Sequence, residues 1–216
     1  MTDLPIADDR IALRAFQADD LPFLDRLGTD PTVLGPFEWP GFTDARSRRR
    51  RWELDGYLGA ETSVLAAVLP DGTVAGLVSW RVHNRGGSPG VCYEIGMALL
   101  PEHRGRGLGT AGQRLLVDYL FSYTTVYRLE AMTNVHNLAE QKVLERLGFQ
   151  REGVLRAIVF SRGAWQDNAI YSLLRPEAGP EAGFGGGREA GPEAGSGAGF
   201  GAGREAGREA GGAGGR

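Results

Sequence analysis

Apolar residues along this chain follow the two spacings that are typical of strands and of helices. Two apolar runs, residues 63–69 and 73–82, are joined by Pro70-Asp71-Gly72, which predicts a hairpin of antiparallel strands. Five further strand-like runs lie at residues 11–16, 91–100, 128–133, 151–160 and 165–174. Four helices are predicted between them, beginning at Asp19-Asp20, at Thr43 or Asp44, near Leu108 and at Asn137. We therefore expect strands and helices within one domain.

The strand predicted at residues 91–100 has two different faces. Alternation places Tyr93, Ile95, Met97 and Leu99 on one face, which is apolar. The other face carries Glu94 beside Gly96 and Ala98, so a carboxylate stands over a strip with little side-chain bulk. We expect this strip to leave room for a ligand.

A glycine-rich turn follows this strand and leads into a helix. The turn reads Pro101-Glu102-His103-Arg104-Gly105-Arg106-Gly107-Leu108-Gly109-Thr110. Its glycines let the backbone approach a ligand closely, and the helix that follows offers unpaired amide hydrogens and the positive end of its dipole. This combination is suited to binding a pyrophosphate.

Gly107, Gly109 and Gly112 also have the G-x-G-x-x-G spacing of dinucleotide-binding proteins, and Glu130 follows at a strand end. Two features argue against that interpretation. About seven residues separate the strand from Gly107, whereas the Rossmann turn follows its strand almost directly. The preceding hairpin is also wrong for a parallel βαβ repeat. A phosphate-cleaving P-loop is disfavoured further, because no Gly-Lys-Ser or Gly-Lys-Thr ends the turn.

Two motifs resemble a known family. Arg104-x-x-Gly107-x-Gly109, after the strand Glu94-Ile95-Gly96-Met97-Ala98-Leu99-Leu100-Pro101, resembles the acetyl-CoA motif of the GNAT superfamily of N-acetyltransferases. The stretch from Asn137 to Phe149 resembles the branch that acetylates the amino-terminal alanine of ribosomal proteins. The resemblance implies an α/β (α+β) fold with a mixed, mostly antiparallel sheet of about seven strands, about four helices, and a splay between the fourth and fifth strands that holds acetyl-CoA.

The resemblance also implies roles for individual residues. Acetyl transfer to an amine needs a base, stabilisation of charge on the thioester oxygen and a protonated leaving thiolate. Glu94 is the predicted base, and a bulge at Met97, Ala98 and Leu99 is expected to aim a backbone amide at the thioester carbonyl. Asn137 is expected to contact the pantetheine arm. The residues expected to bind the pyrophosphate are Arg104, Gly105, Arg106, Gly107, Leu108, Gly109 and Thr110.

The sequence departs from the family pattern at the positions that supply the acid for the leaving thiolate. Some relatives have a tyrosine just before the Gly-Phe pair, but Leu144 stands there, and Glu140 stands where related sequences often have serine. Glu140, His136, Tyr93 or solvent remain candidates for the acid. A thiolate whose thiol has a pKa near 8.5 needs little assistance from an acid in order to leave.

Several of these residues also have structural interpretations. Glu94 could pair with an arginine within the sheet, and Glu140 could complete a capping box with Asn137, whose capping role is compatible with cofactor contact. Cys92 is expected to be a small buried apolar residue.

The segment from Phe37 to Phe42 is unusually aromatic. It could simply cover the core, or Glu38 between Phe37 and Trp39 could receive a cationic amine, so Glu38 and Trp39 are candidate substrate-binding residues.

Four consecutive arginines follow, Arg48 to Arg51. On a helix they encircle the axis, so at least one must face the body of the protein. We favour the interpretation that these arginines belong to a solvated helix over the alternative that they recognise an acidic or RNA-containing partner.

Composition sets the domain boundary. Residues 176–216 hold 16 of the 34 glycines and six copies of a Pro/Arg-Glu-Ala-Gly unit, so we expect a disordered tail after an enzyme domain at residues 1–175. That domain has 20 basic and 21 acidic side chains, which argues against general binding to nucleic acid.

No Cys/His cluster has zinc spacing, so no metal is expected. Without a signal peptide or apolar span, a cytoplasmic location away from membranes is predicted.

The sequence therefore predicts an acetyl-CoA-dependent N-acetyltransferase that works by direct attack in a ternary complex, as a monomer or a homodimer. The acceptor is a primary amine, either a protein amino terminus or a small amine or amino-acid-like compound. A non-catalytic acyl-CoA sensor is the alternative, and a dinucleotide-binding protein is a more distant one.

Overall fold

The computed structural model describes residues 6–37, 41–84 and 91–177. Its seven strands are β1 Ala12–Arg14, β2 Thr62–Val68, β3 Val74–Asn84, β4 Val91–Leu99, β5 Arg128–Asn134, β6 Gln150–Ser161 and β7 Ala164–Leu174. Its four α-helices are α1 Leu21–Thr29, α2 Ala45–Asp55, α3 Leu108–Tyr123 and α4 Leu138–Arg146, and 3-10 turns lie at Ala18–Asp20, Pro101–His103 and Arg175–Glu177. Each strand and α-helix lies within a few residues of its predicted position. Within the described ranges, no helix is both long and apolar enough to cross a membrane.

The seven strands form one sheet in the order β1-β2-β3-β4-β5-β7-β6. All neighbours are antiparallel except β4 and β5, which are parallel. These two strands pair only at Tyr93 with Leu129 and at Glu94 with Glu130, and their carboxyl-terminal halves are not paired with each other. The predicted mixed sheet with a splay between the fourth and fifth strands is confirmed.

Two apolar cores lie on opposite faces of the sheet. The first packs α3 and α4 against β4, β5 and β7, and the second packs α1 and α2 against β1, β2 and β3. Strand β4 has the predicted alternation, because Ile95 belongs to the first core and Tyr93, Met97 and Leu99 pack against it. Glu94, Gly96 and Ala98 therefore face the side of α1 and α2.

Local signals in the sequence account for the ends of the helices. The Asp44 side chain accepts the amide of Arg46 at the start of α2, and Gly56 ends this helix with a φ of 59°. Asn137 caps α4 by accepting the amide of Glu140 at 3.4 Å. The expected bulge at Met97, Ala98 and Leu99 is wrong for the β3–β4 ladder, because these strands pair without a register shift from Asn84 and Val91 to Gly76 and Leu99.

Candidate active site

The splay between β4 and β5 opens into a cavity of 490 Å³. Four elements surround it: the end of β4, the glycine-rich turn, the start of α3, and one face of α4 with its cap. Nine of the residues predicted to bind the cofactor line this cavity, which are Met97, Ala98, Leu99, Arg104, Gly105, Gly107, Gly109, Thr110 and Asn137. The fold therefore gathers most of the predicted site around one opening.

The turn into α3 presents backbone donors rather than side chains. Gly105 and Gly107 have φ values of 73° and 77°, which side chains disfavour, so glycine is required for this path. Gly107 is the residue before the helix, and among the described residues no side chain caps the first amides of α3. The first amides of α3 thus have no partner within the helix and carry the positive end of its dipole beside the cavity.

The remaining predicted residues of the turn differ in position. Leu108 is 4% exposed and packs in the first core, and the exposed Arg106 is not among the described residues that line the cavity. Arg104 donates from Nε to the carbonyl of Leu99 at 3.0 Å and from Nη2 to the carbonyl of Val33. Its guanidinium therefore ties the turn to the end of β4 and to the segment after α1.

Three polar residues at the cavity were missed by the sequence analysis. Lys142 and Arg146 line it from α4, together with Ala139 and Val143. This spacing of i, i+3, i+4 and i+7 marks one helix face, which could have revealed two cations beside the predicted cofactor site. Gln113 was missed because its position on α3 looks like an ordinary core position, and it is in fact 1% exposed.

Glu140 and Gln113 form a polar pair at the edge of this cavity. Gln113 Nε2 donates to Glu140 Oε1 at 2.8 Å, and both residues line the cavity. Burial raises the pKa of the Glu140 carboxyl, against the opposing effect of the hydrogen bond from Gln113. The predicted capping box is wrong in its second half, because Asn137 caps the helix but the Glu140 side chain binds Gln113.

Glu94 lies at the apex of the splay, in the last residue pair before β4 and β5 diverge. Its side chain is only 14% exposed, and Arg81 Nη2 donates to both carboxylate oxygens at 2.9 Å and 2.8 Å. His83 Nδ1 lies 3.4 Å from Glu94 Oε2 and 4.0 Å from Glu130 Oε2. The pairing of Glu94 with an arginine, which is the structural alternative to catalysis, is thus present, and Glu94 as the base stays a prediction.

The other two candidates for the acid lie in different surroundings. His136 is exposed, and Tyr93 packs partly buried against the first core on the α3 side of the sheet. Neither is among the described residues that line the cavity, whereas Glu140 is.

The sequence profile described as an acetyltransferase (GNAT) domain matches residues 10–150 of this chain. The chain belongs to the GNAT acetyltransferase family. It is 39% identical over 83 residues to the probable N-acetyltransferase YjcK of Bacillus subtilis, a match that covers 38% of this chain and 46% of that protein. The chain thus spans about half the length of this GNAT relative.

Solved GNAT structures share the fold over most of this chain. The spermidine N-acetyltransferase of Vibrio cholerae in complex with CoA and spermine gives a TM-score of 0.70 at 19% identity, over 79% of this chain and 99% of that one. The ribosomal L7/L12 alpha-N-protein acetyltransferase RimL in complex with coenzyme A gives a TM-score of 0.67 at 19% identity, over 79% and 97% of the two chains. At this identity the likeness shows the fold alone.

Two smaller cavities adjoin this GNAT site. One of 240 Å³ lies on the Gly96 and Ala98 face of β4, and Arg48 of α2 also lines it. The other, of 260 Å³, lies between β5, β7 and the β6–β7 turn, and Phe37 and Arg162 are part of its wall. The strip of small residues on β4 therefore borders open space, as the alternation predicted.

The remaining substrate-binding candidates, Glu38 and Trp39, lie outside the described residues. Two of the four consecutive arginines face the body: Arg48 lines the smaller cavity, and Arg51 donates to the carbonyl of Thr62 at 2.9 Å. Cys92 is buried, as expected, at 2% exposure.

Proposed function

We propose that this protein transfers an acetyl group from acetyl-CoA to a primary amine by direct attack in a ternary complex. The observation that carries the proposal is the cavity in the splay, into which the first turn of α3 presents backbone donors. Lys142 and Arg146 add positive charge to the same wall, which favours a ligand with several phosphates. Membership of the GNAT family supports the same chemistry.

In the proposed reaction, the amine nitrogen attacks the thioester carbonyl carbon while Glu94 accepts a proton from the amine, directly or through one water. A carboxylate has about four lone-pair positions, and Arg81 Nη2 uses one on each oxygen, so acceptor capacity remains. A backbone amide at the end of β4 is proposed to stabilise the developing oxyanion. The carbon–sulfur bond then breaks and releases CoA and the N-acetylated amine.

We assign the proton for the leaving thiolate to Glu140. It lines the cavity on the side of Asn137, which is the predicted contact of the pantetheine arm, and Gln113 holds its carboxyl in place at 2.8 Å. Burial raises the pKa of this carboxyl, which is the direction that a proton donor to sulfur requires. Solvent then restores the protonation states of Glu94 and Glu140.

The acceptor is proposed at the level of a primary amine. The fold neighbours include enzymes named for spermidine and for the amino terminus of a ribosomal protein, and both acceptors carry a primary amine. Because these two acceptors differ in size and charge, the acceptor class of this protein depends on the shape and charge of its own cavity.

The proposal is tested by measuring thiol release from acetyl-CoA across a panel of primary amines, amino acids and peptides, beside a thermal shift with acetyl-CoA and with NAD. Acceptor-dependent thiol release is the expected result. A shift with acetyl-CoA without thiol release for any acceptor would favour the sensor, and a shift with NAD alone would favour a dinucleotide-binding protein.

A further inference from the structure

Arg48 is an unusual member of the arginine run on α2. Its Nε is buried and has no hydrogen-bond partner among the described residues. The guanidinium lies close to α1, because a Cβ built on Gly28 would stand 3.2 Å from Arg48 Nε. A buried guanidinium nitrogen without a partner is costly. Because Nε itself is closed to solvent, a ligand that supplies an acceptor would bind the part of the Arg48 side chain that lines the adjoining cavity.

The cavity beside Arg48 has an otherwise apolar and small-residue lining. Leu27, Leu34 and Leu77 form its apolar wall, and Gly96 and Ala98 of β4 leave its floor open. No carboxylate is present among the described residues that line it, and Arg48 is the charged group. The site therefore favours a compact ligand with an anionic group and an apolar part.

This cavity meets the larger cavity at the place where the reaction is proposed. Leu34, Met97 and Ala98 line both of them. Residues 97 and 98 belong to the segment of β4 that the proposed function places beside the thioester. An acceptor bound next to Arg48 would thus approach the acetyl group from the α2 side of the sheet, on the same face as Glu94, which precedes Gly96 by two residues or about 7 Å of strand.

We propose, on the basis of the proposed function, that the acceptor is a free α-amino acid with an apolar side chain, whose carboxylate binds Arg48. Guanidinium and carboxylate groups match in shape and charge. The guanidinium also disfavours the protonated form of a nearby amine, which helps to present the neutral nucleophile that the reaction needs. A polyamine has several positive charges and would be repelled by Arg48.

The cavity volume supports a small acceptor. At 240 Å³ it is below the range of about 300–1,000 Å³ that is typical of sites for drug-sized ligands. A free amino acid carries its amine and its carboxylate on one carbon. The first residue of a protein has a neutral peptide amide in place of that carboxylate. The proposal therefore separates free amino acids from peptides with the same side chain.

The test compares three acceptors with the same side chain: L-leucine, L-leucinamide and 3-methylbutylamine, which lacks the carboxylate. In the unmodified protein, kcat/KM for leucine should exceed that of the other two. In Arg48→Gln, the KM for leucine should rise by about 10–100-fold, as expected for loss of a charge-assisted hydrogen bond, while 3-methylbutylamine is unaffected. Arg48→Lys should recover part of the loss because it keeps the charge.

Two variants serve as controls. Arg49→Gln removes an exposed arginine from the same helix and should leave every acceptor unchanged. Arg162→Gln removes the arginine of the 260 Å³ cavity and should also leave leucine unchanged. Thermal shift with acetyl-CoA checks in each variant that the cofactor site is intact.

Several results would overturn the assignment of Arg48 while leaving acetyl transfer in place. These are equal use of leucine and 3-methylbutylamine, a preference for spermidine or leucinamide, or a rise in KM for leucine in Arg162→Gln instead of Arg48→Gln. Failure of the proposed function is distinguishable, since it would appear as no thiol release with any amine in any variant.

Discussion

The two cavities that meet at Met97 and Ala98 are built in different ways. The larger cavity depends on the backbone of the turn after β4, where glycines at 105, 107 and 109 bring main-chain donors to its edge. The smaller cavity depends on side chains from α1, the segment after it, α2 and β3. Backbone recognition tolerates many changes of side chain but few changes of backbone angle, whereas the smaller cavity can change its ligand through a single residue such as Arg48.

Glu94 lies in the last residue pair before β4 and β5 diverge and is the proposed base, so its removal is expected to have the largest effect. Glu94→Gln should lower kcat/KM by about 10²–10⁴-fold, the usual contribution of general acid–base catalysis. The loss should be greatest at low pH, where the amine is most fully protonated. Acceptor titrations of thiol release across a pH series measure it, with the Kd for acetyl-CoA expected to stay unchanged.

The ion pair with Arg81 supplies the competing explanation for Glu94. If the carboxylate only stabilises the sheet, Glu94→Gln should lower the melting temperature and leave turnover per folded molecule intact. Glu61→Gln, which removes an exposed carboxylate before β2, is the matched control for a change of charge.

A substitution at Gly107 tests whether the larger cavity depends on the backbone of the turn after β4. Gly107→Val places a β-branched residue at a φ of 77°, which costs about 1–3 kcal/mol and should displace the turn. The Kd for acetyl-CoA, measured by calorimetry, should therefore rise by about 10–100-fold, while the preference among acceptors is retained.

Gly72→Val is the matched control, since Gly72 has a φ of 86° in the β2–β3 hairpin, away from the cavities. It should lose similar stability without a change in cofactor affinity. Equal affinity for acetyl-CoA in Gly107→Val would show that the turn does not bind the coenzyme.

Glu140→Gln should have the smallest effect on rate, and it should raise the stability of the protein at high pH, whereas the other substitutions lower it. The native pKa of Glu140 is raised, so the folded protein binds this proton more tightly than the unfolded chain does. Stability is therefore lost as the pH rises from the ordinary carboxyl pKa through the raised one. Glutamine avoids this loss and can also donate to Gln113 Oε1, which has no partner among the described residues.

We expect Glu140→Gln to raise stability at pH 8 by about 1 kcal/mol, or 2–4 °C in melting temperature, with little gain at pH 4. Turnover should fall by up to about 10-fold, because the thiolate is a good leaving group. Glu53→Gln, which removes an exposed carboxylate of α2, is the control and should change neither. Unchanged turnover in Glu140→Gln would return the role of the acid to solvent.

Much of the fold was predictable because its signals are local. Asp44 and Gly56 mark the ends of α2, Pro70-Asp71-Gly72 marks a hairpin, and the alternation of β4 places Ile95 in a core and Glu94 opposite. The capping box at Asn137 was only half correct, because Glu140 found a partner on α3 that no local rule contains.

The residues of the candidate site also divide into those that a local motif identifies and those that only packing brings together. Gly105 to Thr110 follow one another in the chain, so a motif could identify them before any fold was known. Arg104 as a phosphate ligand stays a prediction, whereas its hydrogen bond to the carbonyl of Val33 could not be predicted, because Val33 is distant in sequence. Gln113, Lys142 and Arg146 reach the cavity only because α3 and α4 pack side by side.

The sequence by itself determined the order of the elements, the family motif and the turn that exposes backbone donors, since each depends on neighbours within a few residues. Only the tertiary structure decided that Arg81 pairs with Glu94, that Gln113 pairs with Glu140, and that Arg48 enters a cavity beside Gly96. These contacts join separate segments, and their energies depend on burial and on partners that arise when the sheet and its helices come together.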